Sequence, residues 1–258
     1  MIRLTLLAAA AVLLVPDLVP AADHEAPGPL TSVWIVVPKA GQAAEFETAV
    51  EDYMAWRAGV NDSRVWNVYT PVVGHNLNVY QFRSCCHQWA DQDAYVAEAN
   101  EKGFGPKFGE MVGPYVDHLH RYFEYNDWEN SHWPDDESTA GPYYGVTTWT
   151  WKMGVGPGPE NARKELSQMA IAEGWGEAGN HWIWLSRVGG KSTLAVVTPF
   201  SDYADMQPPE QSFFDFISDK MGSEEAAEAL FTQFGAGFSD SDYTVWWHRP
   251  ELSSAAPD

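Results

Sequence analysis

Cysteine is nearly missing from this chain: Cys85 and Cys86 are the two it has, and they are adjacent. A framework of spaced disulfides is thereby excluded, and so is a four-cysteine metal site. Neighbouring cysteines can close only on each other or between molecules, so free buried thiols, a vicinal disulfide and a metal or redox role for Cys85-Cys86-His87 all stay open. Positive charge is scarce as well. Fifteen Lys and Arg stand against 36 Asp and Glu, a net charge of −21. Nucleic acid is excluded as a partner on that balance, because phosphate binding needs Lys and Arg to displace counterions. The surplus acid reads as a solvated surface. No Gly-x-Ser-x-Gly elbow occurs, and the glycines of Gly154 to Gly158 and Gly235-Ala236-Gly237 lack the strand-then-helix setting of a phosphate cradle.

Long apolar runs are confined to the N-terminus. Arg3, the stretch Leu4 to Val15, and the small-residue ending Val19-Pro20-Ala21-Ala22 have the layout of a cleavable export signal over residues 1–22. The run is too short to cross a bilayer and is interrupted by Pro16 and Asp17, so no membrane span is expected and the destination reads as periplasmic or secreted. Aromatic side chains, in contrast, are plentiful: 13 Trp, 11 Tyr and 12 Phe. They suit a core of large rings, and equally a pocket for a flat apolar molecule.

The element pattern occurs twice. Strand signals at Val33 to Val37, Arg64 to Val73, Leu77 to Arg83 and Val116 to Tyr125 enclose a helix over Gln42 to Trp56 and a helical stretch from Trp89. In the second half Tyr144 to Met153, His181 to Val188, Ser192 to Thr198 and Tyr243 to His248 enclose helices around Leu166 to Trp175, Phe213 to Met221 and Glu224 to Phe234. Residues 30–127 and 143–250 thus form two units joined by a polar linker over 128–142, with a disordered tail over 251–258. Each unit has the ferredoxin-like order of strand, helix, two strands, helix, strand. A sheet covered by helices on one face must bury the other, and two copies in one chain can bury each other's. The fold class is α+β, with the two sheets packed face to face.

In this duplicated order the chain resembles the dimeric α+β barrel superfamily in a tandem form, which includes antibiotic-biosynthesis monooxygenases, haem-degrading monooxygenases, chlorite dismutases and NIPSNAP-like proteins. The resemblance implies a site between the sheets and, where the protein is an enzyme, a cofactor-independent monooxygenase acting on a small aromatic or apolar molecule. A non-catalytic ligand-binding or structural protein is the alternative, and a haem- or metal-binding barrel is another. No cofactor is required by any motif; haem or a transition metal stays open, as does a homo-oligomer.

Strand alternation then nominates residues. On Val116 to Tyr125, Leu119 and Phe123 should face the helices, leaving His118, His120, Tyr122 and Glu124 to the interior as candidate catalytic groups. His118 and His120 share one face and, with Glu124, present a nitrogen and oxygen set for zinc, copper or iron. An unshifted imidazole is also a base for an acidic phenol. On the last strand Trp246 and His248 fall opposite Tyr243, Val245 and Trp247. Trp34, Arg64 and Trp66 complete the expected ligand pocket.

Overall fold

The computed structural model describes residues 27–134 and 141–254. The export signal expected over residues 1–22 lies outside them. The first half runs β1 (Leu30–Pro38), α1 (Ala43–Gly59), β2 (Asn67–Val73), β3 (Tyr80–His87), α2 (Asp91–Lys102), α3 (Phe104–Met111) and β4 (Val116–Asn126). The second runs β5 (Tyr143–Trp151), α4 (Gly158–Ala172), β6 (Ile183–Val188), β7 (Thr193–Phe200), α5 (Phe213–Met221), α6 (Glu224–Gly235) and β8 (Phe238–His248).

Within each half the sheet order is the same, β4-β1-β3-β2 and β8-β5-β7-β6. The halves join edge to edge. β2 pairs with β8 through Tyr69 with His248 and Thr70 with Trp247, and β4 pairs with β6 through Glu124 with Arg187 and Asn126 with Leu185. The described strands therefore close into one antiparallel barrel. Closure leaves no strand edge with unpaired amides, which a stacked pair of open sheets would have. Pro71, which cannot donate to a ladder, sits beside a register shift in β2.

Helices cover the outside of the barrel. The α1 stripe of Phe46, Val50, Tyr53 and Met54 packs on Val36, Val68, Tyr80 and Phe82, the outward residues of β1 to β3. Phe46 and Val50 are fully buried, each contributing about 1.5–3 kcal/mol of apolar burial. In the second half α4, α5 and α6 gather Leu166, Phe216, Ile217, Ala227 and Leu230. Ser223 caps α6 by accepting from the Ala226 amide, as a serine ahead of two glutamates should. The turn between β6 and β7 has positive φ at both Gly189 and Gly190, a backbone that glycine adopts without steric cost.

Several expected boundaries move. β2 starts at Asn67 rather than Arg64, because residues 64–66 turn under the helices. β3 runs on to His87 and includes both cysteines, while Leu77 lies in the preceding turn. The expected polar linker is structured at its start: Trp128–Asn130 forms a 3-10 turn, and His132 bridges to Trp182. Buried Asn130 explains this, since its carbonyl accepts from Trp182 Nε1. The expected disordered tail is corrected over residues 251–254, and its remainder, 255–258, lies outside the described residues. Leu252 is 0% exposed in the first half's core, and Ser253 and Ser254 accept hydrogen bonds from the Val68 and Trp66 amides, extending the cover of β2. Leu119, expected against a helix, is instead 41% exposed.

Candidate functional site

Among the described residues, alternation along the strands lines a cavity at each end of the barrel. The larger, of about 980 Å³, opens where the segment between the halves crosses the rim. Tyr69 of β2, Tyr144 of β5, Trp246 and His248 of β8, and Trp133 of the crossing segment form its walls. Their rings make a continuous surface: Tyr69 meets Tyr144 edge-on at 5.4 Å, His248 lies 5.1 Å from Tyr69, and Trp133 stacks on Tyr144 at 6.3 Å. His132 and His181 stand at the rim with their Nδ1 atoms 3.1 Å apart and their rings parallel. The close approach of the backbone beside them needs Gly176, where an added Cβ would meet the His132 ring at 2.4 Å.

Burial lowers the His181 imidazole's affinity for a proton, and neighbouring His132 lowers it further. Burial likewise lowers that of His248, whose Nε2 lies 3.3 Å from Ser253 Oγ. Both imidazoles are thus biased toward the neutral form that accepts protons.

Cys85 and Cys86 form a vicinal disulfide, one of the readings open from the sequence, and it faces this cavity. Asn126 Nδ2 donates to Cys85 Sγ at 3.4 Å, and the Gly28 amide donates to the Cys86 carbonyl at 3.1 Å.

The smaller cavity, of about 730 Å³, opens at the opposite end. His118, His120, Tyr122 and Glu124 all line it, together with Arg187, Asp240, Asp242 and Thr244. A metal held by His118, His120 and Glu124 does not fit this arrangement. Glu124 Oε2 is 2.6 Å from Arg83 Nη2, and His118 turns its Nδ1 to Asp117 at 2.8 Å. Among the described residues no group of three His, Cys, Asp or Glu gathers as a metal site. The His120 imidazole is held below its usual range, first by burial and then by Arg187 and His118.

Gln81, Arg83, Val146, Leu185, Val197 and Trp246 face both cavities and make the layer between them. In that layer Gln81 Nε2 donates to the Tyr122 hydroxyl at 3.3 Å, and the Arg187 guanidinium lies 3.9 Å from the Tyr122 ring centre. Burial, then the charge of Glu124, raises the Tyr122 phenol, so it stays protonated.

Of the pocket residues expected from the sequence, Trp246 and His248 line the aromatic cavity, and Trp34, Arg64 and Trp66 do not. The correction follows from strand parity. Thr31, Ile35 and Val37 point into the barrel, so Trp34 points out, under Arg121 at 5.2 Å. Trp66, 4% exposed, donates from Nε1 to the Tyr95 hydroxyl at 3.2 Å, and the Arg64 guanidinium covers the Tyr95 ring at 3.8 Å. These three belong to the packing between sheet and helices. Sequence reasoning missed Gln81 and Arg83, although their alternation with Phe82 carried the signal. It also missed Tyr69, Tyr144, Trp133, His132 and His181; the last three of these owe their place to the rim crossing.

No family model and no curated protein matches this sequence. Solved structures do. A candidate monooxygenase from Lactobacillus acidophilus aligns over 88% of this chain and 96% of its own at 8% identity, with a TM-score of 0.50. Another, from Fusobacterium nucleatum, aligns over 87% of this chain and 94% of its own at 10% identity, with a TM-score of 0.50. At such identities the likeness is one of fold, and the fold is the dimeric α+β barrel in a single chain.

Proposed function

We propose that this dimeric α+β barrel takes up a small planar aromatic molecule in its larger cavity and oxidises it as a cofactor-independent monooxygenase. The supporting observation is the cavity itself: about 980 Å³ walled by Tyr69, Trp133, Tyr144 and Trp246, with imidazoles at its edge. A cavity of that size suits a ligand of two or three fused rings, and its wall of ring faces suits stacking. His248 is the base in this reading. Its neutral imidazole accepts the proton of an acidic phenol or enol, giving the electron-rich anion that reacts with oxygen. In the oxidation of a ring methylene to a ketone, one atom of O2 enters the product and the other leaves as water. Export to the periplasm or medium belongs to the same proposal, supported by the layout of residues 1–22. N-terminal sequencing of exported material beginning after Ala21 or Ala22 tests it.

The test of function is a titration of tryptophan fluorescence with hydroxylated naphthalenes and anthrones, paired with oxygen uptake. Saturable quenching that is lost in Trp246→Ala supports the pocket, and oxygen uptake that is lost in His248→Gln supports the chemistry. Binding without oxygen uptake would make the protein a carrier of such molecules. Absence of saturable binding across the series would sink the reading.

A further inference from the structure

Acidic residues outnumber basic ones 36 to 15 in this chain, yet among the described residues no Asp or Glu lines the aromatic cavity. The charged side chain that does face it is Arg83, on its floor. Glu124 pairs with Arg83 from the far side, and Glu124 is flanked in turn by Arg187, its cross-strand partner on β6. Arg187 Nε is buried with no hydrogen-bond partner. Arg187 faces the smaller cavity, where Asp240 and Asp242 also stand, so the charge presented to the aromatic cavity is that of the Arg83 guanidinium, which lines it while its carboxylate partner Glu124 does not. Low-dielectric walls focus such a field toward the open end.

From this placement we infer that the ligand of the aromatic cavity is an anion, an aromatic carboxylate whose charged group is set against Arg83 while its rings lie against the wall of Tyr144 and Trp246. The inference rests on the aromatic reading of the cavity and adds the charge of the ligand to it. A guanidinium fork matches a carboxylate in two parallel hydrogen bonds. A cationic or neutral ring system gains nothing from this floor.

The experiment compares 2-naphthoate with 2-naphthamide, equal in shape and different in charge, by fluorescence titration of the full chain at neutral pH and low salt. The carboxylate should bind at least tenfold more tightly, and added salt should narrow the gap. Arg83→Gln should abolish the difference while leaving the amide's affinity within about threefold. Because that variant strands Glu124 and can fail to fold, Glu124→Gln gives a second reading. Removing the competing carboxylate should tighten naphthoate several-fold and leave naphthamide alone. Equal affinities in the unmodified protein, or a Glu124→Gln variant that binds naphthoate no better, would overturn the inference while the aromatic pocket stands. If neither compound binds, the aromatic reading falls and the inference falls with it.

Discussion

Arg83 reaches Glu124 across the intervening strand β1, Nη2 to Oε2 at 2.6 Å, and the pair sits in the layer that divides the barrel interior. A charge stranded in such a place costs more than the pair is worth. Arg83→Met should therefore destabilise the fold by about 3–5 kcal/mol, whereas Arg83→Met combined with Glu124→Leu should recover most of the loss. Urea unfolding of the two variants checks this, and equal loss in both would show that the ion pair is not the source.

Trp66 and Trp246 make opposite predictions from the same side-chain type. Trp66 lies in the packing under the helices, so Trp66→Ala should cost about 3–5 kcal/mol and leave ligand affinity unchanged. Trp246 lines open space, so Trp246→Ala should cost less stability and lose most of the binding. Thermal melts beside the fluorescence titration separate them. The reverse pattern would mean that the strand register is wrong by one residue.

Leu252 is part of the first half's core. Leu252→Ala should destabilise by about 2–5 kcal/mol, the range for a buried leucine, and removing residues 252–258 should do at least as much by also freeing the Trp66 and Val68 amides. A truncated chain that melts like the intact one would refute this.

Acid should weaken the fold through histidine. Burial and the neighbouring Arg64 guanidinium push the His87 imidazole down to about 4, against about 6.5 in an unfolded chain. The unfolded state therefore binds more protons across that window. The contribution of His87 is fully present above about pH 6.5 and is lost as pH falls toward 4. His87→Gln should flatten the slope of stability against pH in that range, read from urea midpoints at half-unit steps; an unchanged slope would place the effect elsewhere. His120, His181 and His248, all shifted down by burial, act with the same sign.

Much of the scaffold is legible in the residues. Period-two runs such as Val33 to Val37, the helical spacing of Phe46, Val50 and Tyr53, and the Gly189-Gly190 turn report local geometry, and local geometry recurring in one order twice implies two ferredoxin-like sheets. Parity along one strand is local too, which is why His118, His120, Tyr122 and Glu124 were read onto one face and line one cavity. Local pattern does not carry parity across strands whose start is uncertain. Trp34 and Trp66 were therefore misplaced, since a shift of one residue moves a side chain between core and cavity.

The amino-acid sequence by itself determined the fold class, the duplication, the scarcity of positive charge and which side chains share a strand face, because each depends on neighbours within a few residues. Tertiary structure decided the rest. Only the pairing of β1 with both β3 and β4 brings Arg83 to Glu124, and only barrel closure through the β2–β8 and β4–β6 ladders divides the interior into an aromatic end and a polar one. Only the rim crossing sets Trp133 over Tyr144 and His132 beside His181. Those contacts join residues 11 to 49 positions apart, and their free energy depends on shapes and charges that meet only once the strands have paired.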